Sequence, residues 1–255
     1  MIALRTPVLI EVCANSLESA LAAQAGGASR VELCSSLIEG GLTPSPSVID
    51  LAREQLRIGH HVLVRPRGGD FCYDDTEFAV MKRDISFCKR AGADGVVIGI
   101  LQPDGSVDLA RMRELVAEAR PMKVTFHRAF DMAADAFRAL DEVLALGVER
   151  LLTSGQRSSV MEGRGLIGEL VRRAGRGLTI MPGAGVNDGN IRELMAATGA
   201  REYHLSGQKK IGSRMTYRNP HVFMGVPGLP EYEIGVTDAA QIRRVVEAAN
   251  QPGSS

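Results

Sequence analysis

Four stretches decide the fold: Ala25-Gly-Gly-Ala-Ser-Arg-Val-Glu-Leu33, Ala91-Gly-Ala-Asp-Gly-Val-Val-Ile98, Ala145-Leu-Gly-Val-Glu-Arg-Leu-Leu152 and Ala197-Thr-Gly-Ala-Arg-Glu-Tyr-His-Leu205. In each, an alanine-rich helix end meets a glycine stop and then a short apolar run. Working outward from these units, candidate strands fall at Leu9–Cys13, Arg30–Cys34, His61–Arg65, Gly95–Ile98, Lys123–His127, Arg150–Thr153, Leu178–Met181 and Glu202–Leu205. Amphipathic helices are expected between them, at Ser16–Ala25, Ser45–Leu56, Asp75–Arg90, Asp108–Ala119, Asp135–Leu146, Val160–Arg173, Asn187–Thr198 and Thr237–Ala249. Several open with Ser, Asp, Asn or Thr, whose oxygens accept the free N–H groups of a first turn.

A strand–helix unit repeated eight times over 255 residues has a period of about 32 residues, the scale of a (β/α)8 TIM barrel, an α/β fold. The rival, a doubly wound open sheet, lacks its Gly-rich dinucleotide turn after the first strand. One domain is expected over residues 1–250, with a frayed tail at 251–255. Residues 206–235 form a long loop after strand eight, with little periodicity. A loop of that length is either functional or packed at an interface.

Composition narrows the function classes. Lys+Arg and Asp+Glu both number 30, so no general attraction to nucleic acid or an anionic membrane is expected. No apolar run has the length of a bilayer span, and Val8-Leu9-Ile10 is cut short by Glu11, unlike a signal peptide. With only four cysteines, reduced thiols and a cytoplasmic location are the expectation. No tryptophan and 28 glycines point to tight turns and an aliphatic core.

Strand parity then sorts the side chains. Barrel strands wrapped by helices turn an apolar face outward. Ile10/Val12, Val31/Leu33, Val62/Val64, Val124/Phe126 and Tyr203/Leu205 supply that face. The opposite parity sends Glu11, Cys13, Glu32, Cys34, Arg65, Thr125, His127 and His204 into the barrel. Buried carboxylates call for guanidinium partners, and Arg65, with Arg67 and Arg128 nearby, is the expected source. Such a set is either an ion network fixing register or a site at the C-terminal mouth, where barrel enzymes keep theirs.

Three loops add chemistry. Arg65-Pro-Arg-Gly-Gly-Asp-Phe71 pairs two arginines with glycine-freed amides, which suits a planar anion or a turn closed by internal ion pairs. In Thr125-Phe-His-Arg-Ala-Phe-Asp131, Asp131 is placed to orient His127 as a general base; the alternative is a satisfied core histidine. Met181-Pro-Gly-Ala-Gly185, with Ser206-Gly207, is a candidate phosphate cradle in which Gly183 and Gly185 supply backbone access. Cys13 and Cys34 end matching Glu-Val-Cys and Glu-Leu-Cys runs. Inward thiols suit Cu(I) or are inert core groups; without a Cys-x-x-Cys pair a structural zinc site is not expected.

Together, Ile10-Glu-Val-Cys13, Arg30-Val-Glu-Leu-Cys34, Glu39-Gly-Gly-Leu-Thr-Pro44, Arg65-Pro-Arg-Gly-Gly-Asp-Phe71, Phe126-His-Arg-Ala-Phe-Asp131, Leu152-Thr-Ser-Gly155 and Met181-Pro-Gly-Ala-Gly185 resemble the CutC family of copper homeostasis proteins. The resemblance runs from about Leu9 to the last helix. It implies a cytoplasmic TIM barrel handling copper, with Cu(I) on cysteines matching Cys13 and Cys34, assembled as a homodimer or homotetramer.

Two functions therefore stand side by side. The first is Cu(I) binding by Cys13 and Cys34. The second is an enzyme acting on a small anionic metabolite, phosphorylated or not. There Arg65, Arg67, Arg128, Gly183, Gly185 and His204 bind the anion, and Glu11, Glu32, His127 or Asp131 takes part in proton transfer. Neither reading involves nucleic acid or membrane.

Overall fold

The computed structural model describes residues 7–222, 224–225, 228 and 230–251. Eight parallel strands stand in the order β7-β6-β5-β4-β3-β2-β1-β8. They are β1 (Leu9–Ala14), β2 (Arg30–Leu33), β3 (Gly59–Leu63), β4 (Gly95–Ile98), β5 (Lys123–Phe126), β6 (Arg150–Thr153), β7 (Thr179–Pro182) and β8 (Glu202–Leu205). Seven hydrogen-bonded seams join them. β7 lies beside β8 to bring the sheet nearly to closure: a Cβ at Gly183, just past β7, would come within 3.4 Å of the His204 Cβ. The TIM barrel expected from the repeat is therefore present.

The helices between strands are α1 (Leu17–Ala25), α2 (Pro46–Gln55), α3 (Asp75–Arg90), α4 (Leu109–Ala119), α5 (Ala136–Ala145), α6 (Val160–Ala174), α7 (Ile191–Thr198) and α8 (Ala239–Asn250). Side-chain oxygens of Ser16, Asp74, Asp108, Asp135, Ser159 and Asp238 accept first-turn N–H groups, satisfying donors that a helix start leaves free. Asp74 and Glu77 form a reciprocal capping box. Among the described residues no helix is long and apolar enough to cross a membrane.

Several boundaries differ from expectation, among them β3, which runs Gly59–Leu63 rather than His61–Arg65. Helix α7 starts at Ile191 rather than Asn187, because the Asn187 side chain accepts from Gly189 N–H at 2.9 Å and holds a turn. The stretch after β8 is not all loop. Gln208–Gly212 (β9) pairs antiparallel with Glu233–Thr237 (β10) as a separate two-stranded ribbon. Every residue of β9 is exposed, so no inward–outward alternation marks it in the sequence. The expected frayed tail begins at Gln251; residues 252–255 lie outside the described residues.

The outward parity is as the alternation predicts. Ile10, Val12, Val31, Leu33, Val62, Val64, Val124, Phe126, Tyr203 and Leu205 are buried in the layer between strands and helices. A second, small apolar cluster of Cys13, Cys34, Leu63 and Val97 lies inside the barrel, with Leu37 packed over it.

Close backbone approach fixes one helix. A Cβ at Gly163 in α6 would meet the Ser154 carbonyl oxygen at 1.8 Å, whereas one at Gly165 would meet nothing within 4 Å. Gly163→Ala should therefore destabilise the fold by about 3 kcal/mol, as forced overpacking does. Gly165→Ala in the same helix should stabilise it by roughly 0.5–1 kcal/mol. Urea denaturation of the two variants checks this; equal midpoints would contradict the close approach.

Candidate metal centre in the barrel

In a barrel of this kind inward residues stack in layers drawn from alternate strands. The register places Arg30, Gly95, Arg150 and Glu202 in the floor, then Glu11, His61, Thr125 and Met181. Above these come Glu32, Val97, Leu152 and His204, and at the top Cys13, Leu63, His127 and Gly183.

The floor is a closed ion network. Arg30 Nη2 and Arg150 Nε both donate to Glu202 Oε2, at 2.7 and 2.6 Å, while Arg30 Nε pairs with Glu11. Arg30, rather than Arg65, is thus the guanidinium that Glu11 requires. Arg30 opens its strand in the inward parity of Glu32, as Glu202 does with His204; counting each parity from the first strand residue would have exposed both.

From Glu11 the polar chain rises. His204 Nδ1 lies 2.7 Å from Glu11 Oε1, and its Nε2 lies 3.7 Å from Glu32 Oε2. Burial disfavours the charged ring, but Glu32 and Glu11 outweigh it and raise the His204 pKa. With the ring protonated, three carboxylates (Glu11, Glu32, Glu202) face three cations (Arg30, Arg150, His204), the balance a dry interior demands. Burial alone would also raise Glu11; the Arg30 guanidinium and His204 hold it well below the usual carboxylate range. Burial pushes Glu32 up, partly opposed by His204.

At the top, Cys13 Sγ and Cys34 Sγ are 3.4 Å apart, and Cys34 Sγ lies 3.6 Å from the Ala14 carbonyl oxygen. Cys13 is the shared member: its sulfur, an oxygen of Glu32 and a nitrogen of His204 lie within 4.8 Å of one another. Its contact with Cys34, then burial, then the nearby Glu32 raise the Cys13 thiol well above its usual value. Cys34 and Cys13 are both buried, yet they face each other across the stagger of their strands. Cys13, Glu32 and His204 form one donor group, and Cys34 adds a second sulfur at Cys13; the sulfurs and imidazole suit a soft ion, the carboxylate a harder one.

The remaining expected site residues do not join this cluster. Arg65 spends its Nη atoms on carbonyl oxygens of Glu39, Gly41 and Gly69, at 2.6, 2.9 and 2.7 Å. Arg67 is on the rim, with Nε 2.5 Å from Glu77 and Nη2 3.0 Å from Asp70. Arg128 Nε bonds Asp131 at 2.8 Å and its Nη2 donates to Ser154 Oγ at 2.8 Å. Asp131 does not touch His127; it accepts from the Ser154 and Gln156 amides at 2.9 and 3.1 Å. His127 Nδ1 instead accepts from Ala129 N–H at 3.1 Å. Gly183 answers to packing, since a Cβ there would meet Leu152 Cδ1 at 2.7 Å, and its N–H already donates to the Thr153 carbonyl at 2.9 Å. Gly185 has a φ of +95°, and its carbonyl accepts from Asn190 Nδ2 at 2.8 Å.

Two predictions follow from this geometry. Replacing Arg30 by Met leaves Glu11 with His204 alone and Glu202 with Arg150 alone, one buried negative charge in excess, and should cost about 3–5 kcal/mol, read by urea denaturation; a loss below about 1 kcal/mol would contradict the network. The second concerns acid. Burial, with nearby guanidinium groups, holds His60 down to about 4 and His61 and His127 to about 3. Between pH 6.5 and 4 the unfolded chain binds protons that these rings refuse, so stability falls as pH drops through that window. The raised His204 works the other way, contributing stability that is fully present below its ordinary value of 6.5 and lost as pH rises through its folded pKa. Three rings against one predict a net loss between pH 7 and 5, and His60→Leu should shrink it by about 2 kcal/mol. A flat stability profile would contradict this.

Comparison with known proteins agrees with the geometry. The CutC family profile matches residues 8–209. The chain is 50% identical to the family protein CutC of Chromobacterium violaceum, over 95% of this chain and 98% of that one. It is 47% identical to the mouse copper homeostasis protein cutC homolog, over 92% of this chain and 87% of that one. A crystal structure of a Streptococcus agalactiae CutC protein superimposes with a TM-score of 0.75 at 34% identity, covering 78% of this chain and 98% of that chain. Resemblance of motifs, barrel architecture and these matches lead to one conclusion: the chain belongs to the CutC family.

Proposed function

We propose that this protein holds Cu(I) for copper homeostasis, with Cys13 and Cys34 as sulfur ligands and His204 as the neighbouring nitrogen. The observation that carries the reading is the 3.4 Å approach of two buried free thiols, one of them in reach of an imidazole. Thiolates are the preferred donors for Cu(I), and an apolar wall of Leu63, Val97 and Leu37 keeps water and oxidants from the pair. Loading requires the thiol protons and the His204 Nε2 proton to leave, since a protonated ring has no lone pair to offer. Glu32 beside Cys13 is the acceptor at hand, and the His204–Glu11–Arg30 chain beneath it keeps the total charge near balance as protons give way to the metal.

The copper handling suggested by the names of its relatives supplies the cargo. Free thiols at this site need a reducing compartment, which supports a cytoplasmic location. A homodimer or homotetramer completes the reading. The exposed apolar residues Ile211, Met215, Tyr217 and Ile234 in and beside the β9–β10 ribbon are surface of the kind subunits bury.

The rival reading, an enzyme for a small anionic metabolite using Glu11, Glu32, His127 and Asp131 with the rim arginines, gains less. Arg67 and Arg128 are tied to Glu77 and Asp131. Anaerobic competition against a chromophoric Cu(I) chelator tests the proposal. The parent should bind one Cu(I) tightly, and Cys13→Ser/Cys34→Ser should lose at least about a hundredfold in affinity, beyond the roughly 10–100-fold that loss of an outer-shell partner alone costs. Equal affinity in the double variant would overturn it.

A further inference from the structure

Away from the thiols, on the β3–β5 side of the mouth, three buried donors have no hydrogen-bond partner among the described residues: Arg65 Nε, the Tyr73 hydroxyl and His127 Nε2. Their residues are 5%, 4% and 4% exposed. Unpartnered donors at such depth are costly and rare.

Two of the three flank one side chain. The Arg65 guanidinium carbon lies 4.9 Å from the centroid of the Phe71 ring, and the His127 ring lies 5.0 Å from the same ring. Tyr73 is two residues further along the same loop, with Arg67 over its ring, and Arg65 is near enough to its hydroxyl to oppose, by charge and hydrogen bonding, the rise that burial imposes on it. All three groups carry hydrogens, and the hydroxyl accepts as well. Because His127 Nδ1 accepts from Ala129 N–H, the proton of the neutral ring sits on Nε2. Arg65 has no acceptor capacity at all, and among the described residues no carboxylate is hydrogen-bonded or ion-paired to it: its other donors end on the carbonyls of Glu39, Gly41 and Gly69.

A cluster of donors around one uncompensated guanidinium selects an acceptor carrying negative charge. Arg65 supplies a single charge, so a monoanion balances it, and a dianion would be left buried with excess charge. We propose that the mouth holds a second site, beneath Phe71, that binds a small oxyanion, specifically a monocarboxylate, through Arg65, Tyr73 and His127. Phe71 is half-buried and follows Gly68-Gly69-Asp70; displacing its ring uncovers the donors. The thiol pair takes no part, so this site stands or falls apart from copper binding.

The test uses the full chain at pH 7 with acetate and propionate as carboxylate probes and inorganic phosphate as the other oxyanion. Binding is followed by the His127 Nε2–H resonance and by titration of amide shifts. Two variants remove one donor each while keeping shape: Tyr73→Phe, and His127→Asn, whose Oδ1 still accepts from Ala129 N–H. The expected result is saturable carboxylate binding with a downfield Nε2–H shift, weakened about tenfold or more in each variant, and retained in Cys13→Ser/Cys34→Ser. Free Tyr73→Phe protein should be as heat-stable as the parent or more so, since it discards an unpartnered buried hydroxyl. No saturable binding, binding that both variants preserve, or preference for phosphate over the carboxylates would each overturn the proposal.

Discussion

The Arg30 guanidinium, bridging Glu11 and Glu202 in the floor of the barrel, is the interaction on which the interior depends. Three carboxylates inside a nearly closed sheet would otherwise be prohibitive. Arg30 and Arg150 neutralise the lowest; Glu11, freed from the need to protonate, can hold His204; and His204 then stands beside Glu32 and beneath Cys13. The thiol pair at the top is thus the end of a charge relay that begins in the floor, three layers below Cys13. Each partner is fixed by the one beneath it, which preorganises the donors without a loop having to close.

The rim is built differently, from staples. Arg65 ties the loop after β2 to the Gly-Gly turn after β3 through three carbonyls. Asp131 gathers the Ser154 and Gln156 amides of the loop after β6. These bonds explain why arginines and glycines that read as an anion cradle do not converge on one point. They also leave a residue of unspent chemistry under Phe71, where donors meet donors.

Much of this was legible in the residues. The helix–glycine–strand units set eight strands, and the apolar parity put Glu11, Glu32, Cys13, Cys34 and His204 inside, where the structure has them. What escaped has physical causes. Arg30, Arg150 and Glu202 each open a strand, where a charge is usually at the solvent edge, and the Arg30–Glu202 pair joins residues 172 positions apart. His127 and Asp131 are close in sequence, but a 3-10 turn at Arg128–Met132 carries the carboxylate toward Ser154 instead. The ribbon of β9 and β10 has both faces in water for much of its length and so lacks the alternation that betrays a half-buried strand.

The central claim is that the paired thiols, with the imidazole beside them, are what this barrel offers to copper. X-ray absorption at the copper edge of the anaerobically loaded protein tests it most directly. The account predicts a Cu(I) edge with two sulfur scatterers and one imidazole nitrogen in the nearest shell, the nitrogen disappearing in His204→Phe. A shell of nitrogen and oxygen alone would contradict it.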